Sequence, residues 1–492
     1  MKEKQIREPL VSHQNQIRYY LNGTEQNDTI PAGQSTLNYL NKTKHLYGTK
    51  CSCNEGDCGA CTVVVAYPKE GSIVYEAINS CLYPAAKLHG RHLITVEGLG
   101  TPERLHPIQQ AMLDFHGTQC GYCTPGFVMS MFALFASVEH PDKETIFQAL
   151  EGNLCRCTGY QSILEAAHYI SGRYTPRDLV PDWCREIEQL LFNFSEPARM
   201  ILSGGGSNQQ VQRYHTPEDT KSLFDLLQHE PDAVLIAGGT DLMVQMNIGR
   251  KEFPLLVDIS RLNDLQRLYL QKDGLHIGAC VSYTTLQNSG IVKTDYPTLH
   301  KLILQIASQQ IRNFGTLGGN IANASPIGDS LPLLMALDAT LLLQTRLEIR
   351  LLPIREFFLG YRKTALQKGE IIREIVLPPI PEVTYVNTLK SAKRKSVDIS
   401  SVITAICLEQ ELGFVKSATL ALGGVAPTPV LSEVFSKLMC RKPLDSLDSK
   451  AIGKAVAAEF KPISDVRGSA IYRSRLIANH IQIYLNDLQR GE

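Results

Sequence analysis

Between Cys51 and Cys157 the chain sets eight of its thirteen cysteines at metal-ligand spacings, and whatever fold it adopts has to bring them together. Cys53, Cys58 and Cys61 form C-x4-C-x2-C with Cys81 as a distant fourth thiol, the spacing of plant-type 2Fe-2S ferredoxins. A second set, Cys120-Gly-Tyr-Cys123, is answered by Cys155-Arg-Cys157. A 2Fe-2S cluster takes four thiolates, two per iron. Gly56 and Gly59 let the backbone wrap closely and turn its amides toward sulfur. Four thiols at such spacing also suit zinc, but the glycine pattern is that of a ferredoxin loop. Cys51 rivals Cys53 as a ligand. Only Cys53 gives the four-residue gap, so Cys51 is expected to pack beside the site.

The chain around these thiols divides by period. Residues 17–21 alternate and end in Asn22-Gly23, a hairpin signal, with a second strand expected toward Ile30, a helix over 36–46 and a strand over 62–66. This opening fits a β-grasp ferredoxin domain. From Pro107 the period turns helical, with 127–135 apolar on all sides, so Cys120-Gly-Tyr-Cys123 and Cys155-Arg-Cys157 are expected near helix N-termini, whose dipoles favour thiolates. Cys-Gly-Tyr-Cys alone would read as a dithiol redox motif; the second pair and the lack of a βαβ setting argue against that. Cys184, Cys280, Cys407 and Cys440 lie in apolar contexts and are expected in cores.

Pro176, Pro181, Pro197 and the Gly204-Gly205-Gly206-Ser207 run are expected to break any long element in a linker. Beyond it, Val234-Leu235-Ile236-Ala237 reads as a buried strand entering Gly238-Gly239-Thr240-Asp241. A second glycine loop, Gly315-Thr316-Leu317-Gly318-Gly319-Asn320, precedes Asp329. Two such loops can grip a pyrophosphate through backbone N–H groups, and no Rossmann glycine fingerprint follows a strand. A glycine turn closing an α/β unit is the plainer alternative for each. From Val383 the pattern becomes a three-layer α/β tail with strands over 403–409 and 417–422 and helices from Ser449 and Ser469.

Composition narrows the class. The chain has 492 residues, 43% of them apolar, which is enough for two to four domains with real cores. Lys+Arg and Asp+Glu are equal at 49 each, so neither nucleic acid nor an anionic membrane is the expected partner. The longest nearly apolar run, 127–138, is too short to span a bilayer, and the first sixteen residues carry no apolar leader, so a cytoplasmic protein is expected.

Gly-Asp-Cys-Gly-Ala-Cys-Thr, Gln-Cys-Gly-Tyr-Cys-Thr-Pro-Gly and Gly-Asn-Leu-Cys-Arg-Cys-Thr-Gly-Tyr together make the chain resemble the small iron-sulfur/FAD subunit of bacterial xanthine dehydrogenases, in the molybdenum hydroxylase superfamily. The resemblance covers nearly the whole length. It implies an α+β multidomain protein: a 2Fe-2S ferredoxin-like domain over 15–98 and a helical-bundle 2Fe-2S domain over 99–175. A linker over 176–212 would follow, then an FAD domain of the vanillyl-alcohol-oxidase type over 213–382 and its C-terminal module over 383–492. Cys53, Cys58, Cys61 and Cys81 would hold one cluster, and Cys120, Cys123, Cys155 and Cys157 the other. Leu235, Ile236, Ala237, Gly238, Gly239, Thr240, Asp241 and Leu242, with Thr316, Leu317, Gly318, Gly319 and Asn320, would cradle the FAD phosphates. Asp329 would bind the ribityl or ribose part, and Ile372 and Lys390 would line the flavin. Residues 357–364 match a loop near the flavin and the nicotinamide site; a solvated aromatic loop is the alternative. Ile306 stands where the family often has an aromatic residue beside the flavin.

The same resemblance implies that purine hydroxylation takes place on a molybdenum-cofactor-binding large subunit. Electrons would pass through the Cys120 set, the Cys53 set and FAD to NAD+, since clusters carry single electrons, NAD+ takes a hydride and a flavin converts between them. The rivals are a partner acting on an aldehyde or N-heterocycle, and a free-standing iron-sulfur flavoprotein carrier.

Overall fold

A computed structural model describes residues 16–194, 200–203 and 211–490. Pro197 and the Gly204-Gly205-Gly206-Ser207 run of the expected linker lie outside them, as do residues 1–15. β1 (Gln16–Leu21) and β2 (Thr24–Thr29) pair antiparallel across Asn22 and Gly23, at φ 47° and 82°. Both turn residues are left-handed, which matches the twist of the strands they join. The helix Thr36–Lys42 is capped by Ser35, whose Oγ accepts from Asn38 N at 3.2 Å. It ends four residues short of the expected 46, where the chain turns through His45 at φ 55°. With β3 (Thr62–Lys69), β4 (Ser72–Asn79) and β5 (His92–Ile94) the sheet runs β2-β1-β5-β3-β4, β1 lying parallel to β5.

β3 is apolar without alternation because both its faces are covered. Val63 and Val65 join the core that holds Cys61 and Cys81, while Val64 and Ala66 join that of the helical domain with Phe127 and Phe132. The helical domain comprises Pro107–Asp114, Thr124–Ser137, Lys143–Leu150 and Gln161–Arg173. Its second helix is buried nearly all round, since it lies between its neighbours and the ferredoxin sheet.

The expected linker is not devoid of structure. Pro176 opens a short helix and Pro181 caps the eleven-residue helix Asp182–Phe192, positions where the missing proline N–H costs nothing. This second helix buries Cys184, Ile187 and Leu191. β6 (Met200–Ser203), within the span read as linker, is already a strand of the next domain.

That domain has two sheets. With β7 (Val211–Thr216), β8 (Val234–Ile236) and β9 (Phe253–Asp258) the first runs β6-β7-β9-β8, the last three strands parallel. The second comprises β10 (Leu268–Gln271), β11 (Gly274–Gly278), β12 (Thr340–Gln344) and β13 (Ile349–Pro353). After a hairpin of β14 (Phe358–Gly360) and β15 (Lys363–Thr364), β16 (Ile371–Leu377) completes it in the order β10-β11-β16-β12-β13. Residues 357–364 are therefore not a solvated loop: Phe357 is fully buried and only the tip, with Leu359 and Tyr361, is exposed.

The C-terminal module adds β17 (Thr384–Ser391), β18 (Val402–Glu411), β19 (Phe414–Gly423) and β20 (Val430–Leu431). Ile403, Ala405 and Ala421 face the flavin-domain core, whereas Val402, Leu408, Leu420 and Leu422 face the module's own helices, including Ala470–Arg490. The sheet is the middle of three layers. Among the described residues no helix is long and apolar enough to cross a membrane.

Candidate functional site

The eight thiols approach one another two by two. Cys61 Sγ lies 3.3 Å from Cys81 Sγ, and Cys157 Sγ 3.7 Å from Cys120 Sγ. Cys53 stands beside Cys58, and Cys155 beside Cys123. Among the described residues no three His, Cys, Asp or Glu side chains gather about a single ion position. Pairs of thiols on facing segments suit a two-iron cluster with two thiolates per iron.

Each set also supplies donors that favour sulfur anions. Contact with Cys58 lowers Cys53 to about 5 against the opposing effect of burial, helped by the amides of Glu55, Cys58 and Asp57; Cys58 is raised in return. Cys61 is likewise lowered by contact with Cys81, and Cys81 raised. Cys155 is buried enough to raise its pKa, yet three donors pull it below the ordinary thiol value: Thr158 Oγ1 at 3.1 Å, with Thr158 N and Cys157 N at 3.4 Å. Cys123 caps the helix Thr124–Ser137, and Tyr160, at φ 70°, precedes Gln161–Arg173 and accepts from Cys155 N at its hydroxyl, 3.0 Å away. Both helix N-termini are thus close to the second set, as expected. Cys51 is exposed beside the first set, its pKa raised by partial burial and by the nearby Cys61 and Cys53, and its carbonyl accepts from Tyr122 Oη.

The two sets differ in access. Cys61 and Cys81 are 3% and 0% exposed, whereas Cys120 and Cys157 are open to solvent. The flavin domain closes over the first set: Asn247, at the end of the helix Leu242–Asn247, donates to Cys81 O at 2.9 Å and to Asn54 O at 3.2 Å.

That helix begins at the first glycine loop. β8 ends at Ile236; Gly238 then packs so closely on the second loop that a Cβ would stand 2.1 Å from Phe314 O, and Gly239 has φ +87°. Among the described residues the N–H groups of Gly238, Gly239, Thr240 and Asp241 donate to no protein acceptor. In the second loop Thr316 caps the helix Leu317–Asn323, its Oγ1 accepting from Gly319 N at 3.0 Å, and Gly318 lies against Ala279 O. Asp241 Oδ1 accepts from Asn323 Nδ2 at 3.1 Å and Arg362 at 3.3 Å. One carboxylate therefore joins both glycine loops to the β14–β15 hairpin. Free amides on loops held together at their glycines fit an anionic pyrophosphate.

The other expected flavin residues are more dispersed. Asp329 pairs with Lys390 Nζ at 2.7 Å, both nearly buried, and Lys390 also donates to Gln305 O at 2.7 Å, beside the half-buried Ile306. Ile372 is 5% exposed within the flavin-domain core.

Comparison with known proteins agrees with this division. Four family models match in succession: a 2Fe-2S iron-sulfur cluster binding domain at 19–85, a 2Fe-2S binding domain at 95–168, the FAD binding domain in molybdopterin dehydrogenase at 208–380, and the CO dehydrogenase flavoprotein C-terminal domain at 387–488. The chain belongs to the molybdenum hydroxylase family. Xanthine dehydrogenase of Drosophila subobscura is 30% identical over 94% of this chain, and that of Oryza sativa subsp. japonica 34% identical over 78%. The aligned parts make up 38% and 33% of those proteins, so the chain spans well under half the length of these relatives. Among solved structures, a chain of Cu,Mo-CO dehydrogenase is 29% identical with a TM-score of 0.52, covering 55% of this chain and 94% of its own. A chain of quinoline 2-oxidoreductase from Pseudomonas putida 86 is 26% identical with a TM-score of 0.53, covering 56% and 96%. In this molybdenum hydroxylase chain, sequence reasoning passed over Asn247 and Asn323. Each is a lone polar residue at a helix end, and only the folded chain brings it to its partner.

Proposed function

We propose that this chain is the electron-transfer subunit of a xanthine dehydrogenase, taking electrons from a molybdenum-cofactor-binding partner and delivering them through two 2Fe-2S clusters and FAD to NAD+. The observation that carries the reading is the helix Leu242–Asn247, which starts at the FAD-phosphate loop and ends on the Cys81 carbonyl, so the buried thiol set and the flavin loop share one rigid element. The clusters would supply one-electron carriage and the flavin the conversion to a two-electron transfer. Cys53, Cys58, Cys61 and Cys81 would hold the cluster beside the flavin. Cys120, Cys123, Cys155 and Cys157 would hold the one facing the partner, whose docking surface is supported by the exposed apolar side chains Tyr122, Phe147, Leu154 and Tyr160 around them. Asp329 and Lys390 would set the flavin's sugar side, and Arg362, tied to Asp241, the nicotinamide side.

The choice of xanthine rests on the 30% to 34% identity to xanthine dehydrogenases. The likeness to quinoline 2-oxidoreductase favours a second reading in which the partner hydroxylates an N-heterocycle. The FAD-loaded chain alone is expected to oxidise NADH with an artificial acceptor and to oxidise xanthine only after its partner is added. Xanthine oxidation without the partner would refute the subunit reading. No reaction with NADH, while the complex consumes oxygen, would refute NAD+ as acceptor.

A further inference from the structure

Three domains meet at one buried side chain. Asn153 is 2% exposed and lies in the turn before Gln161–Arg173, two residues ahead of Cys155. Its Nδ2 donates to Gly59 O at 3.0 Å and to Thr62 Oγ1 at 3.2 Å, both in the ferredoxin-like domain on either side of Cys61. Its Oδ1 accepts from Ser130 Oγ at 2.7 Å, in the buried helix of its own domain, and from Gln310 Nε2 at 2.9 Å, in the flavin domain. The second Gln310 N–H goes to Ser130 Oγ at 2.9 Å, and Thr62 Oγ1 donates to Gly59 O at 2.7 Å. Both N–H groups of each of these two amides are therefore used. Gln310 Oε1 has no donor, but both N–H groups of each amide and Asn153 Oδ1 are paired out of water, and breaking those pairs would strand further buried groups.

Backbone packing adds to this. A Cβ on Gly59 would stand 2.4 Å from Gly152 O, one on Gly126 2.3 Å from Gly59 O, and one on Gly152 2.1 Å from Gln310 Oε1. Three chain segments from two domains thus touch at their backbones, and Gln310 of the third seals them. The result is direct: Leu154 N donates to Cys58 O at 2.9 Å. The residue preceding a thiol of the exposed set is hydrogen-bonded to the residue carrying a thiol of the buried set.

We propose that Asn153, braced by Ser130 and Gln310, is a positioning residue for electron exchange between the two cysteine sets. It holds the Cys58 carbonyl on the Leu154 N–H, so that the path from Cys155 to Cys58 runs through covalent bonds and a single hydrogen bond. Electron tunnelling falls steeply with distance and less steeply along bonds than across a gap, so loosening this contact slows exchange without touching a ligand. The proposal rests on the reading that both sets hold 2Fe-2S clusters.

The test uses the full chain with its clusters and FAD, as wild type and as Asn153→Ala, Gln310→Ala and Ser130→Ala. Iron content and the paramagnetic resonance of the dithionite-reduced protein report the clusters, low-temperature splitting reports their magnetic interaction, and flash photoreduction reports their re-equilibration. Asn153→Ala is expected to keep both signals at full intensity, to lose the splitting and to slow re-equilibration several-fold. Ser130→Ala removes one donor to Asn153 Oδ1 and the acceptor of one Gln310 N–H and should slow exchange less than Asn153→Ala. If Asn153→Ala fails to fold, Gln310→Ala loosens the same knot from the flavin side and should slow exchange with the signals intact. Unchanged splitting and rate in both foldable variants would overturn the proposal. Loss of iron in Gln310→Ala would also overturn it, since the network would then be an element of folding. A wild-type protein lacking two distinct cluster signals would instead refute the underlying cluster assignment.

Discussion

Replacing Gly238 by Ala is expected to weaken FAD binding while leaving both cysteine sets intact. The added methyl would stand 2.1 Å from Phe314 O and 2.9 Å from Phe314 C, backbone atoms of the segment leading into the second loop that cannot rotate aside. Relief requires the two loops to separate. Overpacking of this kind costs about 1–3 kcal/mol. Charged against the loop arrangement that holds the ligand, it raises the Kd for FAD by about 5- to 150-fold, at about 1.4 kcal/mol per factor of ten. Gly239→Ala acts by another route: the new Cβ meets nothing closer than Ile236 Cδ1 at 3.1 Å, but φ +87° is left-handed. An L side chain there costs about 1–2 kcal/mol. Gly319→Ala discriminates between a ligand effect and a folding effect. Its methyl would touch only the capping Thr316 Oγ1, at 2.7 Å, so the protein itself loses at most a helix cap, about 1 kcal/mol. The assay is titration of flavin-stripped protein with FAD by fluorescence, with visible cluster absorption as internal control. Unchanged Kd in Gly238→Ala and Gly239→Ala would mean that these loops are structural turns and the flavin lies elsewhere.

Cys53→Ser and Cys155→Ser should each remove one 2Fe-2S signal from the paramagnetic resonance spectrum and spare the other, while Cys51→Ser, standing outside the paired thiols, spares both; loss of both signals from one folded variant would refute the two-site assignment. Lys87→Met should lower stability by about 3–5 kcal/mol, the usual result of stranding a buried charge, because Lys87 Nζ lies 3.2 Å from Asp258 Oδ1 with both side chains at or below 4% exposure. Adding Asp258→Asn should restore part of the loss in thermal melts, and failure of the double variant to recover would mean that packing, not charge, is at stake. His276 gives a pH signature: burial works to lower its pKa, but Glu374 at 3.0 Å and Asp273 at 3.1 Å hold it above the usual 6.5. The stability it adds is fully present below about pH 6.5 and is lost as pH rises through the raised value. The stability difference between wild type and His276→Asn should shrink above that point, and a difference that grows with pH would reverse the assignment.

Much of this fold could be read from the residues because its signals are local. Asn22-Gly23 specifies a two-residue hairpin wherever it occurs between alternating strands, and the cysteine spacings define which thiols gather. The C-terminal strands are apolar over most of their length because their two faces belong to two cores, and such short apolar runs read as buried strands. The helix Asp182–Phe192 was missed because its prolines were taken as breakers, whereas at a helix start they are initiators. For residues 357–364 the solvated-loop alternative stayed open because nothing local distinguishes Phe357, which anchors the hairpin in the core, from the exposed Leu359 and Tyr361. The long-range polar contacts were beyond reach. Asn153 and Gln310 are 157 positions apart in sequence, and although Asn153 lies in the Gly-Asn-Leu-Cys-Arg-Cys motif, nothing there points to Gln310 as its partner.

The seal that Asn247 makes on the Cys81 loop bears on how such a chain is built. On the proposed assignment, Cys61 and Cys81, buried beneath the Asn247 contact to Cys81 O, would be filled more readily while the ferredoxin-like domain is still undocked. Cys120 and Cys157 stay open throughout and can be loaded later. Burial would then favour an order of maturation in which the inner thiols are filled before the flavin domain closes on them, and the outer thiols stay open to completion afterwards.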